Sequence, residues 1–453
     1  MNKLSPPQIV ALSFLLVIII GTVLLSLPIS IQGRETIDII DAIFTATSAT
    51  CVTGLIVKDT GSFFSPFGRA IILLLFQCGG LGIMTLSTLF AVLLGRKLTI
   101  RRNVIVQSAL GRHKIEGLTT LVKYILCFTF GIELLGAGLL FLRWIQGPGV
   151  SIKQAAWWSV FHAVSAFCNA GFSLFSDSFA GYRGDWYVIL VMSIMIILGG
   201  LGFVVLMDTR KLKFWRRNKA FIFKTLNLQS KVVLTLTVFL ILIGIIFFLF
   251  SEGQNTLKGL SFKDKILVSS FQSVTSRTAG FNTINIGALR MGTLFFLMFL
   301  MFIGASPGST GGGIKTATFG VVAAGLWAMI KNKKEVSIFK RTIPKDVVRK
   351  ALVVFLMALG WILLFSLALS VVEGENVGRS SNSFLPMLFE VTSAFGTVGL
   401  STGLSSNLTS LGKVLIILTM YAGRIGPLTL ALAIALREEK VIYRYPEERI
   451  MVG

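Results

Sequence analysis

The stretch F-T-A-T-S-A-T-C-V-T-G, residues 44–54, has three variants further along the chain. They read F-H-A-V-S-A-F-C-N-A-G at 161–171, F-Q-S-V-T-S-R-T-A-G at 271–280 and F-E-V-T-S-A-F-G-T-V-G at 389–399. Each opens on an aromatic, passes a Ser/Thr step and ends on a glycine. The third is one residue shorter. The glycines Gly54, Gly171, Gly280 and Gly399 are about 117, 109 and 119 residues apart. A fixed period means one structural unit used four times.

The surrounding sequence says where that unit sits. Of 453 residues, 54% are hydrophobic and 14% are charged; a soluble chain carries about 25% charged residues. Apolar runs recur at lengths that cross a bilayer, which takes roughly 20 residues. The chain reads as an all-α integral membrane protein. Its first apolar run, residues 9–27, is long for a signal peptide and has no small-residue cleavage site, so it reads as a retained helix.

The formal net charge is +23. Of 43 Lys and Arg, about 27 fall in the N-terminus, the loops 95–116, 209–231 and 331–350, and the C-terminal tail. The segments that carry the repeated phrase hold few. This is the positive-inside asymmetry, so the charge reports topology and not a nucleic-acid partner. Cys51, Cys78, Cys127 and Cys168 are scattered through apolar sequence without a C-x-x-C. With two His in the chain, they read as small apolar fillers and not as zinc ligands.

Each unit has one order: an apolar helix, a shorter stretch ending in the phrase, and a second apolar helix. The expected spans are 8–28, 38–54 and 68–94; then 117–142, 155–171 and 185–208; then 228–250, 262–280 and 291–330; then 346–372, 383–399 and 410–436. These divide the chain into repeats at 1–95, 96–209, 210–335 and 336–453. About ten to twelve helical residues in the middle stretch reach only some 15–18 Å. They cannot span, so each reads as a re-entrant helix with a return loop. Irregular backbone at membrane depth must be buried in protein or line a water-filled cavity. Two crossings per unit start every unit on the same side. The repeats are therefore parallel, unlike the inverted repeats of many transporters. Eight crossings put both termini in the cytoplasm, and four loops enter from outside around one pseudo-fourfold pore.

The loop residues suit a cation filter. A bare monovalent cation needs oxygens in place of water, and backbone carbonyls supply them without a trapping counter-charge. Glycine reaches the dihedrals that turn successive carbonyls toward an axis. The candidate filter comprises Thr50, Cys51, Val52, Thr53 and Gly54; Cys168, Asn169, Ala170 and Gly171; Thr278, Ala279 and Gly280; and Gly396, Thr397, Val398 and Gly399. The C-terminal ends of the short helices point inward, each with roughly −0.5 of a charge, which favours a cation.

The second helix of the third unit is interrupted by G-A-S-P-G-S-T-G-G-G-I-K-T, residues 304–316. No helix survives Pro307 with so many glycines. Ile314 before Lys315 rules out a phosphate loop. The segment reads as a gate beneath the filter, with Gly304, Ala305, Ser306, Pro307, Gly308, Gly311, Gly312, Gly313 and Lys315 as its residues. Arg424, in the last helix, is a second intramembrane charge and is read with the gate. This third helix reads as the one broken helix of the set. Glu133 and Lys123 read as a helix-packing pair. Arg277 reads as satisfying the last carbonyls of the third short helix.

These residues resemble the Trk/Ktr/HKT superfamily of potassium transporters, and within it the membrane subunits of bacterial Ktr systems. The markers are T-C-V-T-G-L at 50–55, N-A-G-F at 169–172, R-T-A-G-F-N at 277–282, G-T-V-G-L at 396–400, the segment 304–316 and the C-terminal E-R-I-M-V-G at 448–453. The resemblance covers nearly the whole chain. It implies potassium uptake across the bacterial plasma membrane through one pore per subunit, with sodium as an activator. It also implies a homodimer, embedded in membrane lipids, on a cytosolic ring of nucleotide-binding, RCK-type regulatory subunits. The loop 304–316 would gate, with Arg424 near it. Gly54 in place of Ser fits the potassium-selective branch. No cofactor is implied in this chain.

The alternative reading is a sodium- or proton-coupled symporter. That needs a coupling site, and the sequence offers few intramembrane carboxylates besides Glu133. An enzyme is not supported: there is no metal motif and no acid pair beside a nucleophile. Potassium channels carry T-V-G-Y-G in every loop; here each loop keeps one of those two glycines and the four differ. Fewer well-formed carbonyl rings predict a potassium/sodium permeability ratio below that of such channels. A measured ratio as high as theirs would contradict this.

Overall fold

The computed structural model describes residues 6–33, 35–82, 118–210, 226–374, 384–426 and 429. Expected helical residues 83–94, 427–428 and 430–436, the basic loop 95–116, most of 209–231, the side chain of Lys123 and the tail 448–453 lie outside them.

The described chain is helical. A long helix, a short helix and a second helix follow each other four times. The first set is α1 (Pro6–Leu25), α2 (Ile39–Thr50) and α3 (Pro66–Leu81). The second is α4 (Leu118–Trp144), α5 (Ile152–Cys168) and α6 (Trp186–Gly200), continued by α7 (Phe203–Arg210). The third is α8 (Leu228–Glu252), α9 (Phe262–Thr275) and α10 (Met291–Phe302), continued by α11 (Thr316–Ile330). The fourth is α12 (Lys345–Glu373), α13 (Phe384–Gly396) and α14 (Ser410–Ile425). One antiparallel pair, β1 (Ser337–Ile338) with β2 (Arg341–Thr342), departs from the all-helical expectation. Its turn residues Phe339 and Lys340 both have positive φ, the geometry that two-residue hairpins favour.

Local chemistry starts the helices where the sequence switches to apolar. Ser65, Ser151, Asp185, Ser261 and Thr409 each accept a first-turn amide on the side chain, as N-caps do. Four described helices are individually long and apolar enough to cross a bilayer: Gln8–Leu25, Tyr124–Trp144, Leu228–Glu252 and Lys345–Glu373. Counting the bent α6–α7 pair as one span makes five.

Two buried carboxylates fix how long helices meet second helices. Glu252, ending α8, accepts from the Arg290 amide at 3.0 Å and the Thr293 hydroxyl at 2.6 Å, at the start of α10. Glu373, ending α12, accepts from the Thr409 amide at 2.9 Å and its hydroxyl at 2.6 Å, at the start of α14. A helix N-terminus favours such an anion.

The sets are joined in a ring. α3 packs on the next short helix α5, α6 on α9, α10 on α13, and α14 returns to α2. The four phrase aromatics, Phe44, Phe161, Phe271 and Phe389, are fully buried in these seams. The return contact carries an ion pair, Lys413 Nζ to Asp41 Oδ1 at 2.6 Å, between residues at opposite ends of the chain.

The breaks in the second helices differ from expectation. α6 and α7 meet at 101° around Gly202, which has a φ of 86°. α3 and α14 end at Gly82 and Gly426, with φ of 78° and 90°. Among the described residues, the interruption after α10 is therefore not a lone one, since α6 and α7 are also broken at Gly202.

The ring-closing pair gives a stability test. Removing one partner of a buried pair costs up to about 3–5 kcal/mol, and less here because Lys413 keeps some exposure. Asp41→Ala should lower the melting temperature of the purified protein, and adding Lys413→Met should restore most of it. Equal melting of wild type and Asp41→Ala would show that the pair does not hold the ring.

A candidate cation site where four loops converge

The loops after the four short helices share an unusual backbone. Val52, Asn169, Thr278 and Thr397 have φ of 57°, 58°, 71° and 49°. Two residues on, Gly54, Gly171, Gly280 and Gly399 have φ of 91°, 73°, 83° and 89°. A left-handed residue with a side chain costs roughly 1–2 kcal/mol, so local bonds must hold it. They come from the Ser of the phrase. The amides of Thr53, Ala170 and Val398 fold back onto the carbonyls of Ser48, Ser165 and Ser393 at 2.8, 2.8 and 2.9 Å. The hydroxyls of Ser48 and Ser393 accept the amides of Gly54 and Gly399 at 3.1 Å each. Ser165 instead donates its hydroxyl to the Phe172 carbonyl at 2.8 Å. In the shorter third loop the amides of Ala279 and Gly280 both go to the Thr275 carbonyl.

With their amides turned back, the loops meet through carbonyls. A Cβ on Gly54 would lie 2.6 Å from the Ala170 oxygen, one on Gly171 2.9 Å from the Ala279 oxygen, one on Gly280 2.4 Å from the Val398 oxygen, and one on Gly399 2.2 Å from the Thr53 oxygen. The contacts run from each loop to the next and close on the first. No side chain fits at these four positions. Thr53, Ala170, Ala279 and Val398 are fully buried. Among the described residues, no protein donor bonds to their carbonyl oxygens. The hydroxyls of Thr50 and Thr53 are likewise buried without a protein partner. Buried oxygen acceptors without donors have the chemistry that suits a hard, oxygen-seeking cation. No cluster of three or more His, Cys, Asp or Glu that could hold a metal occurs among the described residues.

Against these loops lies the segment between α10 and α11. Its hydrogen bonds reach several elements. Ser306 and Thr310 give their amides to Gly200 and Gly199 at 3.1 and 3.3 Å, and the Thr310 hydroxyl donates to the Phe167 carbonyl at 3.2 Å. Gly312 gives its amide to the Thr397 hydroxyl at 2.9 Å, and Gly313 gives its amide to Gly423 at 3.3 Å. A Cβ on Gly311 would strike the Thr278 hydroxyl at 2.1 Å. A Cβ on Gly202 would meet the Pro307 carbonyl at 2.6 Å, and the next amide, Phe203, donates to Gly308. The bend of α6–α7 thus makes room for Pro307 and Gly308.

The two basic residues are both engaged. Lys315 Nζ donates to the Gly311 carbonyl at 2.7 Å, inside the segment. Arg424 donates from one terminal nitrogen to the Thr310 carbonyl and from the other to the Gly79 carbonyl of α3. It links the segment to the first set of helices. Gly304 and Ala305 lie beside Gly313 and Gly312, with the Ala305 amide on the Gly312 carbonyl.

A motif beside these residues escaped the sequence reading. G-G-L-G at 79–82, G-G-L-G at 199–202 and G-R-I-G at 423–426 occupy one position in three second helices. A Cβ on Gly79, Gly199 or Gly423 would lie about 2 Å from the carbonyl of Thr50, Phe167 or Phe395. These glycines let each second helix touch the end of its own short helix. Arg424 stands where Gly80 and Gly200 stand. The paired glycines three residues apart were the signal.

Two further expectations need correction. Arg277 does not cover the end of its own short helix; its guanidinium reaches the carbonyl and hydroxyl of Thr237 on α8, at 3.4 Å each. Its long side chain turns into the seam between helices. Glu133 accepts from Gln77 Nε2 of α3 at 3.1 Å, with the Cys168 thiol 3.8 Å away. That thiol also lies 3.3 Å from Gln77 Oε1, so Cys168 is a polar contact and not an apolar filler.

Known proteins resemble this chain along nearly its whole length. Residues 5–444 match the family described as TrkH, cation transport protein. The chain is 44% identical to the Ktr system potassium uptake protein B of Bacillus subtilis (strain 168), over all of this chain and 97% of that protein. It is 39% identical to the potassium/sodium uptake protein NtpJ of Enterococcus hirae, over all of this chain and 98% of that protein. Its fold is similar to the crystal structure of the potassium transporter TrkH from Vibrio parahaemolyticus, with a TM-score of 0.71 at 20% identity, covering 93% of this chain and 84% of that one. The chain therefore belongs to the TrkH family of cation transport proteins.

Proposed function

We propose that this chain is a channel-like potassium translocation subunit that mediates potassium uptake across a bacterial plasma membrane. The observation that carries the proposal is the closed cycle of contacts from Gly54 to Ala170, Gly171 to Ala279, Gly280 to Val398 and Gly399 to Thr53. It supports a selectivity filter lined by the carbonyls of those loops. The membrane potential drives the ion, at about 2.3 kcal/mol per charge per 100 mV.

In this reading the chain has four parallel repeats, at 1–95, 96–209, 210–335 and 336–453, around one pseudo-fourfold pore. Eight spans leave both termini in the cytoplasm, in keeping with the basic loops. The segment 304–316 is the gate. Its hydrogen bonds to Phe167, Gly199, Gly200, Thr397 and Gly423, and the bridge from Arg424, support a plug held across the path. The Bacillus subtilis relative is a protein of a Ktr system. As the resemblance of the sequence motifs implies, the chain in this reading forms a homodimer in the lipid bilayer and is gated through a cytosolic ring of RCK-type, nucleotide-binding subunits. The potassium/sodium uptake protein of Enterococcus hirae supports a role for sodium, here as an activator.

A coupled symporter needs a carboxylate free to bind and release its coupling ion. Among the described residues, the buried carboxylates Asp41, Glu133, Asp208, Glu252, Glu373 and Glu390 each accept a hydrogen bond from a protein donor on at least one oxygen. Flux that continues with potassium as the sole cation, and follows voltage linearly, is expected; strict dependence on a second ion would favour the symporter.

Two variants test the filter and the gate. Gly399→Ser forces a Cβ to within 2.2 Å of the Thr53 oxygen. It should lower the potassium/sodium flux ratio by roughly tenfold, which is about 1.4 kcal/mol of ion discrimination, while the protein stays in the membrane. Deleting Gly311, Gly312 and Gly313 should raise potassium flux in uptake-deficient cells. Wild-type selectivity in the first, or lower flux from well-folded protein in the second, would count against the assignment.

A further inference from the structure

The residue after each phrase aromatic takes part in a second pattern. These residues are Thr45, His162, Gln272 and Glu390, and all are buried. In three of the four sets this side chain ties down the strand that leaves the filter. His162 gives Nδ1–H to the Trp158 carbonyl at 2.8 Å, which leaves Nε2 as an acceptor. Nε2 then receives the Ser173 hydroxyl and the Leu174 amide, each at 3.2 Å. Gln272 Nε2 donates to the Thr283 hydroxyl at 3.3 Å. Glu390 receives four donors: the Ser401 hydroxyl at 2.6 Å, the Thr402 amide at 2.9 Å, the Thr402 hydroxyl at 3.2 Å and the Ser405 hydroxyl at 2.6 Å. The first partner is eleven residues downstream in every case.

The first set lacks the tie. Thr45 turns its hydroxyl back to the Asp41 carbonyl of its own helix at 2.9 Å. Eleven residues on stands Ile56, whose side chain cannot bond. Arg69 of α3 holds that outer strand from the other side, donating to the carbonyls of Phe64 at 2.7 Å and Gly61 at 2.6 Å.

We infer that His162, Gln272 and Glu390 are positioning residues for the filter, and that Glu390 is the dominant one. The inference rests on the filter reading above. Each tie spans a filter loop like a strut, from the short helix before it to the strand after it. It limits how far the carbonyls between can shift. A filter that distinguishes potassium from sodium needs its oxygens kept from closing on the smaller ion. Glu390 gathers four donors on its two oxygens, against two on His162 Nε2 and a single bond from Gln272. The single long bond of Gln272 is the weakest tie. The three tied loops are thus held unequally, the fourth most firmly and the third least, and the first has no such tie.

The test measures potassium and sodium uptake by the full-length chain in uptake-deficient cells, at matched membrane levels. Glu390→Ala should lower the potassium/sodium ratio by roughly tenfold, chiefly by admitting sodium. Glu390→Gln, which keeps one acceptor, should fall between. Thr45→Ala should leave the ratio unchanged. If Glu390→Ala does not reach the membrane, the double variant Ser401→Ala/Ser405→Ala removes two of the four donors and should move the ratio the same way. A wild-type ratio in these variants, while Gly399→Ser loses selectivity, overturns the strut and leaves the filter reading standing. A wild-type ratio in Gly399→Ser as well overturns both.

Discussion

A buried carbonyl oxygen without a donor is costly, about 1–3 kcal/mol in a protein interior. Native folds rarely leave one unpaired. Here Thr53, Ala170, Ala279 and Val398 present such oxygens at one place, each against a glycine of the neighbouring loop. Their amides, which might have paired among themselves, are drawn back into the helices behind. The chain spends much of its architecture on keeping these acceptors together and unpaired. The short helices, the serines of the phrase and the left-handed residues all serve that end. A cation that has shed water is the natural partner for such oxygens.

The rest of the structure follows from that constraint. Loops can meet this closely only if the helices behind them also approach closely. Gly79, Gly199 and Gly423 supply this, letting each second helix touch the carbonyl end of its short helix. The left-handed glycines Gly82, Gly202 and Gly426 follow at the same level. The third set has a longer excursion between α10 and α11, and the bend at Gly202 accommodates it. Arg424 then joins the excursion to the far side of the ring. One position in a repeated motif has thus been given a charge, and that charge reaches two other sets of helices.

Much of this was legible in the sequence because repeats and glycines are written in residue types. Four phrases, their period and the charge asymmetry gave the helical class, the order of elements and the four loops. The interruption at 304–316 was legible because Pro307 and the glycines exclude a helix. Less visible were features set by three-dimensional neighbours. The turn of Arg277 toward Thr237 depends on α8 lying beside it. Glu133 meets Gln77 through a seam between two sets. The G-G-L-G motif lay inside apolar runs, where glycine reads as filler, so Arg424 looked isolated. The equivalence of His162, Gln272 and Glu390 was hidden because four different residue types share the position.

The central claim is that these carbonyls bind the transported ion. The most direct measurement is anomalous diffraction from crystals of the protein grown with rubidium or thallium in place of potassium. The expected result is an anomalous peak among the oxygens of Thr53, Ala170, Ala279 and Val398. Peaks confined to other parts of the molecule, with none at this position, would contradict it.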